Sequence, residues 1–568
     1  MIMFGFKYAE VVANRACRFS LMIAFVLLLC GCNSDDSGKG GKDMNKLASI
    51  RIEIDKGEWD VICSDRTHCA DVNLKIIDRD GVVEYEGTGG LKTRGNSTWD
   101  ADKKPFTLKL PRKEVLFGLE RGKDYTLLAN SFDESFIRNA LAFEVSRCMG
   151  LPAPYYEFVS LYVNDDFQGL YQMVNKVDVG VDGVNIADLN KGNKAVNDNE
   201  LKEYPPFSVG DSCVIGQRKG RELESEPKDI SGGYLLDVTD ISDSYLRSSS
   251  GFVSDSGTMV RLKSPEQASK NEVEYVSDVF NQMETALMCP SGYHPIIGKH
   301  YSEYLDVESF ARYYLVQEAV MNADAGLCSF YVYKDVDSID SRFHAGPVWD
   351  FDYSLNTPLW QGFWQCEYEM YAEAHTRFGK GGLLYHLCNK ADFKELVKEQ
   401  FNNKLSHALD SLIQSSYLDS LYVLLKEEAG KDYELFPDHR QSKSYAEAME
   451  RVRGFMTKRV EFLKWLWTSE EKDRVCVECK TKSELPFLVF ERMVRFYGTK
   501  ESGVRLPDFD NFKPTSIDAK SPRWYYAGTN RRVGKRDRLK ENQQIDLRMV
   551  KPTYYEKLVR RCKRLLRM

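Results

Sequence analysis

At 568 residues the chain exceeds what one hydrophobic core usually serves, which predicts two lobes of one unit plus an appended piece. Hydrophobic residues at 43% and charged residues at 29% exclude a chain that is disordered as a whole. The net charge of −7 conceals an asymmetry: residues 471–568 carry 25 Lys/Arg against 13 Asp/Glu, a tail of about +12 on a body of about −19. Such a tail suits docking on the acidic body or on anionic lipid head groups better than on nucleic acid, for which no binding module is present.

Lys7, Arg15 and Arg18 precede the apolar run Leu21–Leu29, followed by Cys30, Gly31 and Cys32. The run is too short to span a bilayer as a stable helix and reads as an export signal. Leu29-Cys30-Gly31-Cys32 resembles a bacterial lipobox, which implies cleavage before Cys32 and lipidation of its thiol. Asn33-Ser34-Asp35-Asp36 resembles the acidic surface-export tag of some bacterial lipoproteins, and Ser37–Lys42 reads as a flexible tether. The expected location is therefore the cell envelope, lipid-anchored at the outer membrane and facing the surface. Cleavage and acylation leave 11 of 14 cysteines, an odd number, with Cys63 and Cys69 able to close a small loop in an oxidising compartment.

From Ala48 to Lys109, Ile50–Ile54, Val72–Ile77 and Phe106–Leu110 alternate apolar with polar residues, which predicts an antiparallel sheet. After Asn130 the period becomes helical, with Ile137, Leu141, Glu144 and Cys148 on one face. Phe158–Val163 and Gln168–Val174 then flank a turn and read as a hairpin. Residues 179–231 are polar and read as an insertion with little core. Beyond about residue 268 the chain is mainly helical, over 269–288, 307–322, 391–430 and 443–468, interrupted by the strand-like Ser329–Tyr333 and His344–Trp349. A sheet-rich first half and a helical second half predict an α+β fold of two lobes meeting at a cleft.

The residues able to carry chemistry gather at that junction. Phosphoryl transfer needs one carboxylate to orient the attacking hydroxyl and another to hold the metal that bridges phosphate oxygens. Asp324 suits the first task; five residues on, Ser329 stands where a protein kinase has a metal-binding Asn, and Asp350-Phe351-Asp352 stands where the second kinase motif would be. Lys109, on a predicted strand, is the candidate partner of nucleotide phosphates, and Glu144 the carboxylate that would hold it, with Lys104 as the alternative lysine. Arg94, Asn96 and the Lys103–Lys104 pair add donors that could cradle phosphates. Each of these alone reads equally well as a turn or a solvated charge. The eight histidines form no close metal pair, and His344 reads as packing. Trp360 and Trp364 suit a core or lobe interface better than a sugar platform.

Arg94-Gly95-Asn96-Ser97, Lys103-Lys104-Pro105-Phe106, Leu127-Leu128-Ala129-Asn130 with Ile137-Arg138-Asn139, Gly169-Leu170-Tyr171, Asn322-Ala323-Asp324 and Trp349-Asp350-Phe351-Asp352 resemble, in this order, the signatures of the spore coat protein H (CotH) kinases. The resemblance spans roughly residues 45–470. It implies a two-lobed atypical protein-kinase-like fold with a sheet-rich N-lobe and a helical C-lobe, and ATP-dependent protein phosphorylation with Mg²⁺ or Mn²⁺. Asp324 matches the catalytic aspartate and Asp350 the metal-binding one, with Asp352 and Ser329 beside it. The acceptor implied is a protein at the cell surface or in the periplasm. Two positions depart from the pattern: Asn175-Lys176-Val177-Asp178 where the family often has Glu, and Ser329 where Asn is common. A catalytically degenerate surface lipoprotein, binding protein or glycan, is the alternative. The resulting division is a signal peptide (1–31), a tether (32–44), a kinase-like domain (45–470) and a basic extension (471–568). Within the domain the N-lobe covers about 45–178, the insertion about 179–231 and the C-lobe about 232–470.

Overall fold

The computed structural model describes residues 46–550, leaving aside 96, 240, 323, 327, 358–368, 371–375, 378–379, 415, 438–441, 486–487, 505–520, 527–531, 534–538 and 540–544. The class is α+β, as the alternation of periods in the sequence predicts.

Seven strands open the fold: β1 Ala48–Glu53, β2 Ala70–Ile77, β3 Val83–Thr93, β4 Phe106–Glu114, β5 Gly122–Leu128, β6 Tyr156–Val163 and β7 Asp166–Asn175. They form a closed barrel in the order β1-β2-β3-β4-β5-β7-β6, joining the predicted antiparallel sheet and the predicted hairpin in one sheet. Closure comes from β1 lying parallel to β6, a pairing that alternation cannot reveal and that removes both sheet edges. The period of two sends Ile50, Ile52, Val72, Leu74, Ile76, Leu108, Leu110 and Leu127 inward, so the barrel is a packed core. Strands β6 and β7 are buried on both faces. Their outward Phe158, Leu170 and Val174 join a second, larger core.

That larger core is built around helix α1, Arg138–Cys148, whose residues Arg138–Ser146 are all buried. It also takes in a second seven-stranded sheet, made of β8 Pro206–Val209, β9 Arg218–Arg221, β10 Tyr234–Thr239, β11 Gly251–Val253, β12 Met259–Ser264, β13 Phe330–Lys334 and β14 Phe343–Ala345. Its order is β14-β13-β10-β12-β11-β9-β8. Residues 179–231 are thus not an insertion with little core: they supply the outer strands β8 and β9, and Leu189, Leu201, Tyr204 and Phe207 are buried. The reading missed this because four-residue strands on a sheet edge carry too short a pattern to register.

The helices follow the expected periods. Helix α2, Lys270–Met288, starts at a capping box between Ser269 and Glu272, and α3, Val307–Val320, starts at the cap Asp306. Helices α4, Tyr417–Leu435, and α5, Tyr445–Thr468, complete the layer, and Arg459 of α5 pairs with Glu318 of α3 at 3.0 Å with both side chains buried. Among the described residues no helix is long and apolar enough to cross a membrane. The basic extension folds into strands Arg474–Leu485, Leu488–Thr499, Ser521–Tyr526 and Ile545–Val550, which share a sheet with Glu369–Met370. Tyr497 packs on the larger core. Cys63 and Cys69 are free thiols, so they do not close the small loop the sequence allows.

A buried ion pair docks the barrel on α4. Lys103 Nζ lies 2.6 Å from Asp432 Oδ2, with side-chain exposures of 3% and 0%. The same carboxylate oxygen accepts the Leu170 N–H at 2.8 Å. Gly169, at φ +122°, makes this approach possible, since a Cβ there would sit 2.7 Å from that oxygen. Lys103 is therefore a structural lysine, not part of a phosphate cradle. Replacing Lys103 with Met removes the cation that faces this buried carboxylate and should cost about 3–5 kcal/mol in denaturant unfolding. Lys103→Met combined with Asp432→Asn should recover most of that, because the amide still accepts from Leu170. Equal losses in both variants would show that the pair is not what docks the barrel.

Candidate functional site

The segment Asp350-Phe351-Asp352 is fixed from three sides, by the buried Arg138, Asn139 and Asn322 and by the half-buried Ser329. From α1, Asn139 Oδ1 accepts the Phe351 N–H at 2.9 Å, and its Nδ2 donates to Asp352 Oδ1. The preceding Arg138 donates from Nε to the Ser354 carbonyl at 2.8 Å, and its guanidinium is neutralised by Asp133. Asp133 also accepts the Arg138 backbone N–H at 2.8 Å, closing the first turn of the helix. From the loop after α3, Asn322 donates to the Asp350 carbonyl at 3.3 Å and accepts the Asp324 N–H at 3.2 Å. From the start of β13, Ser329 Oγ donates to Asp350 Oδ2 at 3.1 Å. Asp350 and Ser329 both hold positive φ, +68° and +55°, conformations that non-glycine residues adopt only when their surroundings impose them.

Two carboxylates held in this way resist ionising together. Burial, and then the charge of Asp350, pushes the Asp352 carboxyl well above the usual carboxylate range. Burial also raises Asp350, against the Ser329 hydrogen bond and the Arg94 charge. The thiol of Cys328 is pushed up by burial and then by Asp324 and Asp350, so the Asp324 loop and the Asp350 segment share one electrostatic neighbourhood. Arg94 reaches it from the barrel, its guanidinium 5.5 Å from the Trp349 ring centroid and its Nη1 donating to Thr126 Oγ1 at 2.8 Å.

The structure thus brings Arg94, Asp324, Ser329, Asp350 and Asp352 together. Lys109 and Glu144 do not meet. Lys109 is exposed on β4, because Leu108 and Leu110 take the inward positions of that strand. Glu144 instead closes on Arg147 one turn along its own helix and accepts from the Tyr156 hydroxyl at 3.1 Å. Lys104 Nζ donates to the Trp99 carbonyl and lies 4.9 Å from that residue's ring centroid. Asn96, Cys32, Trp360 and Trp364 lie outside the described residues. His344 stacks on Tyr333 at 5.1 Å and contacts Asp340 at 3.1 Å. Asp306, Asp340 and His344 could converge on a cation, but Arg342 already bridges both acids, at 3.1 and 2.7 Å.

The sequence reading overlooked Asn139 and Arg138 as more than a motif, and it overlooked Asp237, Arg261 and Lys263. Asp237 stands directly between Arg261 of β12 and Tyr331 of β13 across the second sheet. It pairs with Arg261 while its Oδ1 has no partner among the described residues. One signal was available: Asp237 is the charged residue in the otherwise uncharged, wholly buried strand Tyr234–Thr239.

Residues 91–463, more than half the chain, match the family model described as CotH kinase protein. No curated protein matches the chain. The matched span begins inside β3, so β1 and β2, which close the barrel, lie ahead of it.

The raised Asp352 carboxyl sets a pH dependence. An acid whose folded pKa exceeds its unfolded value keeps its proton after the unfolded chain has lost it, so stability falls as pH rises through that window. Asp352→Asn removes this dependence. In metal-free buffer the variant should gain stability relative to the wild type between about pH 5 and about pH 8. Urea unfolding at both values checks this, and a constant difference would contradict it.

Proposed function

The chain belongs to the CotH kinase family, and from that membership we propose that it is an atypical kinase transferring the γ-phosphate of ATP to a protein hydroxyl. The observation that carries the reading is the pairing of half-buried Asp350 with buried Asp352, clasped by Asn139 and Ser329 and faced by Arg94. In this reading the barrel with α1 is one lobe, the second sheet with its helices is the other, and the Asp350-Phe351-Asp352 segment lies where they meet.

Two carboxylates and a hydroxyl form an all-oxygen donor set that suits a hard divalent cation. Asp350 and Asp352, with Ser329 Oγ, would hold Mg²⁺ or Mn²⁺, whose charge offsets that of the phosphate oxygens. Arg94 adds a fixed cation beside them. Asp324 orients the acceptor hydroxyl and takes its proton as that oxygen bonds to the γ-phosphorus. The bond from that phosphorus to the bridging oxygen breaks, and ADP leaves with the electron pair. The lipobox at Cys32 supports attachment to the envelope membrane, with an acceptor protein at the surface or in the periplasm.

A degenerate, non-transferring surface lipoprotein is the second reading. It is favoured by Glu144 being closed on Arg147 rather than on a nucleotide-facing lysine, and by Ser329, a weaker metal ligand than an amide oxygen.

Incubation of the purified protein with labelled ATP and Mg²⁺ or Mn²⁺ separates the two. Asp324→Ala should keep ATP affinity and lose transfer by about 100-fold or more, whereas Asp350→Ala should lose both. If the wild type transfers no phosphate with any divalent metal, yet binds a surface partner as well as both variants do, the kinase reading fails.

A further inference from the structure

With Lys109 exposed and Lys103 committed to Asp432, the lysines expected to meet phosphate are elsewhere. The second sheet offers another. In β12 the register slips between Leu235↔Ser264 and Leu236↔Leu262, so Lys263 is the extra residue of a β-bulge. A bulge interrupts alternation and re-aims the side chain it carries, and bulges collect beside active sites. Among the described residues the Lys263 ammonium has no hydrogen bond or ion pair, although burial holds it below the ordinary lysine range. Its charged neighbours are Asp237, Arg261, Lys176 and Arg94.

These groups share one face. Asp237 and Arg261 are directly opposed across β10 and β12, and Asp237 and Tyr331 across β10 and β13, so their side chains project to the same side. The Tyr331 hydroxyl feels Asp237, Arg261, Arg94 and Asp350, which puts this row against the Asp350 segment. The half-buried Arg94, Arg261 and Lys263, with the exposed Lys176 at their edge, therefore stand against Asp237 and Asp350. Like charges brought together with one of them unpaired cost free energy unless an anion completes the group.

We propose that Lys263, presented by the bulge in β12 and flanked by Arg261 and Arg94, binds the polyphosphate of ATP, and that Asp237 is the positioning residue that holds Arg261. This rests on the kinase reading for the identity of the anion, but the site itself would accept any polyphosphate. Lys263 thereby takes the task for which Lys109 was the candidate, and Asp237 takes the task foreseen for Glu144, with an arginine as its partner.

The test is equilibrium binding of Mg-ATP, adenosine and inorganic tripolyphosphate to the full chain, the Lys263→Met variant and the Lys263→Arg variant, with unfolding midpoints measured alongside. The loss of a charged hydrogen bond to phosphate predicts about tenfold or weaker ATP binding in Lys263→Met, restored in part by Lys263→Arg, with adenosine binding unchanged. Without ligand the Lys263→Met midpoint should equal or exceed that of the wild type, because a half-buried cation with no hydrogen bond among the described residues is removed, and ATP should raise it less. ATP binding that is equal in all three proteins overturns the proposal and leaves the kinase reading standing. Tripolyphosphate binding that depends on Lys263 in a protein that ignores ATP and adenosine keeps the anion site and removes the kinase reading. Binding of none of the three probes overturns both.

Discussion

One amide, Asn139, organises the chemistry of this molecule. It accepts the Phe351 N–H and donates to the Asp352 carboxylate, so a single side chain near the start of α1 sets both the backbone path and the carboxyl orientation of the Asp350-Phe351-Asp352 segment. Both partners are buried, and leaving either without a hydrogen bond costs about 1–3 kcal/mol. Arg138 adds a second clamp on Ser354, and its own charge is neutralised by Asp133. The positive φ of Asp350 is tolerated because these bonds, with those from Asn322 and Ser329, over-determine the segment. Strain and carboxylate repulsion are stored where phosphoryl transfer would use them.

The signature residues divide into two kinds once their contacts are known. Lys103 and Gly169 serve docking: one supplies the buried cation, the other the space through which Asp432 reaches the Leu170 N–H. Arg138, Asn139 and Asn322 serve positioning. Arg94, Asp324, Asp350 and Asp352 share one electrostatic neighbourhood and are the residues proposed to meet nucleotide and acceptor. A motif list alone cannot make this division, since a lysine beside a glycine-rich loop looks the same in sequence whether it meets a phosphate or an aspartate more than three hundred residues away.

What the sequence disclosed follows from the range of each signal. Period-two and period-three-to-four patterns are local, so the strands Ala48–Glu53 and Ala70–Ile77 and the helices Lys270–Met288 and Tyr445–Thr468 were legible close to their observed ends. The parallel pairing of β1 with β6 joins residues about a hundred positions apart and leaves no local trace, so the antiparallel sheet was legible and its closure into a barrel was not. The same limit governed the site. Asp324 and Asp350 were found because their spacing from Ser329 and Phe351 is short-range. Lys263 and Arg261 were not found, because only the cross-strand register with Asp237 and a bulge bring them to the carboxylates. Lys109 failed for the opposite reason: alternation predicted its strand correctly, but which face turns inward depends on closure of the barrel.

The account holds that the Asp350/Asp352 pair is a cation site built by a buried clasp, and diffraction tests this most directly. Crystals of the protein grown with Mn²⁺ and a non-hydrolysable ATP analogue, measured at a wavelength where manganese scatters anomalously, should show a peak bonded to carboxylate oxygens of Asp350 and Asp352. A structure with the analogue bound but no manganese on either carboxylate, or with manganese only at Asp306, Asp340 and His344, would contradict it.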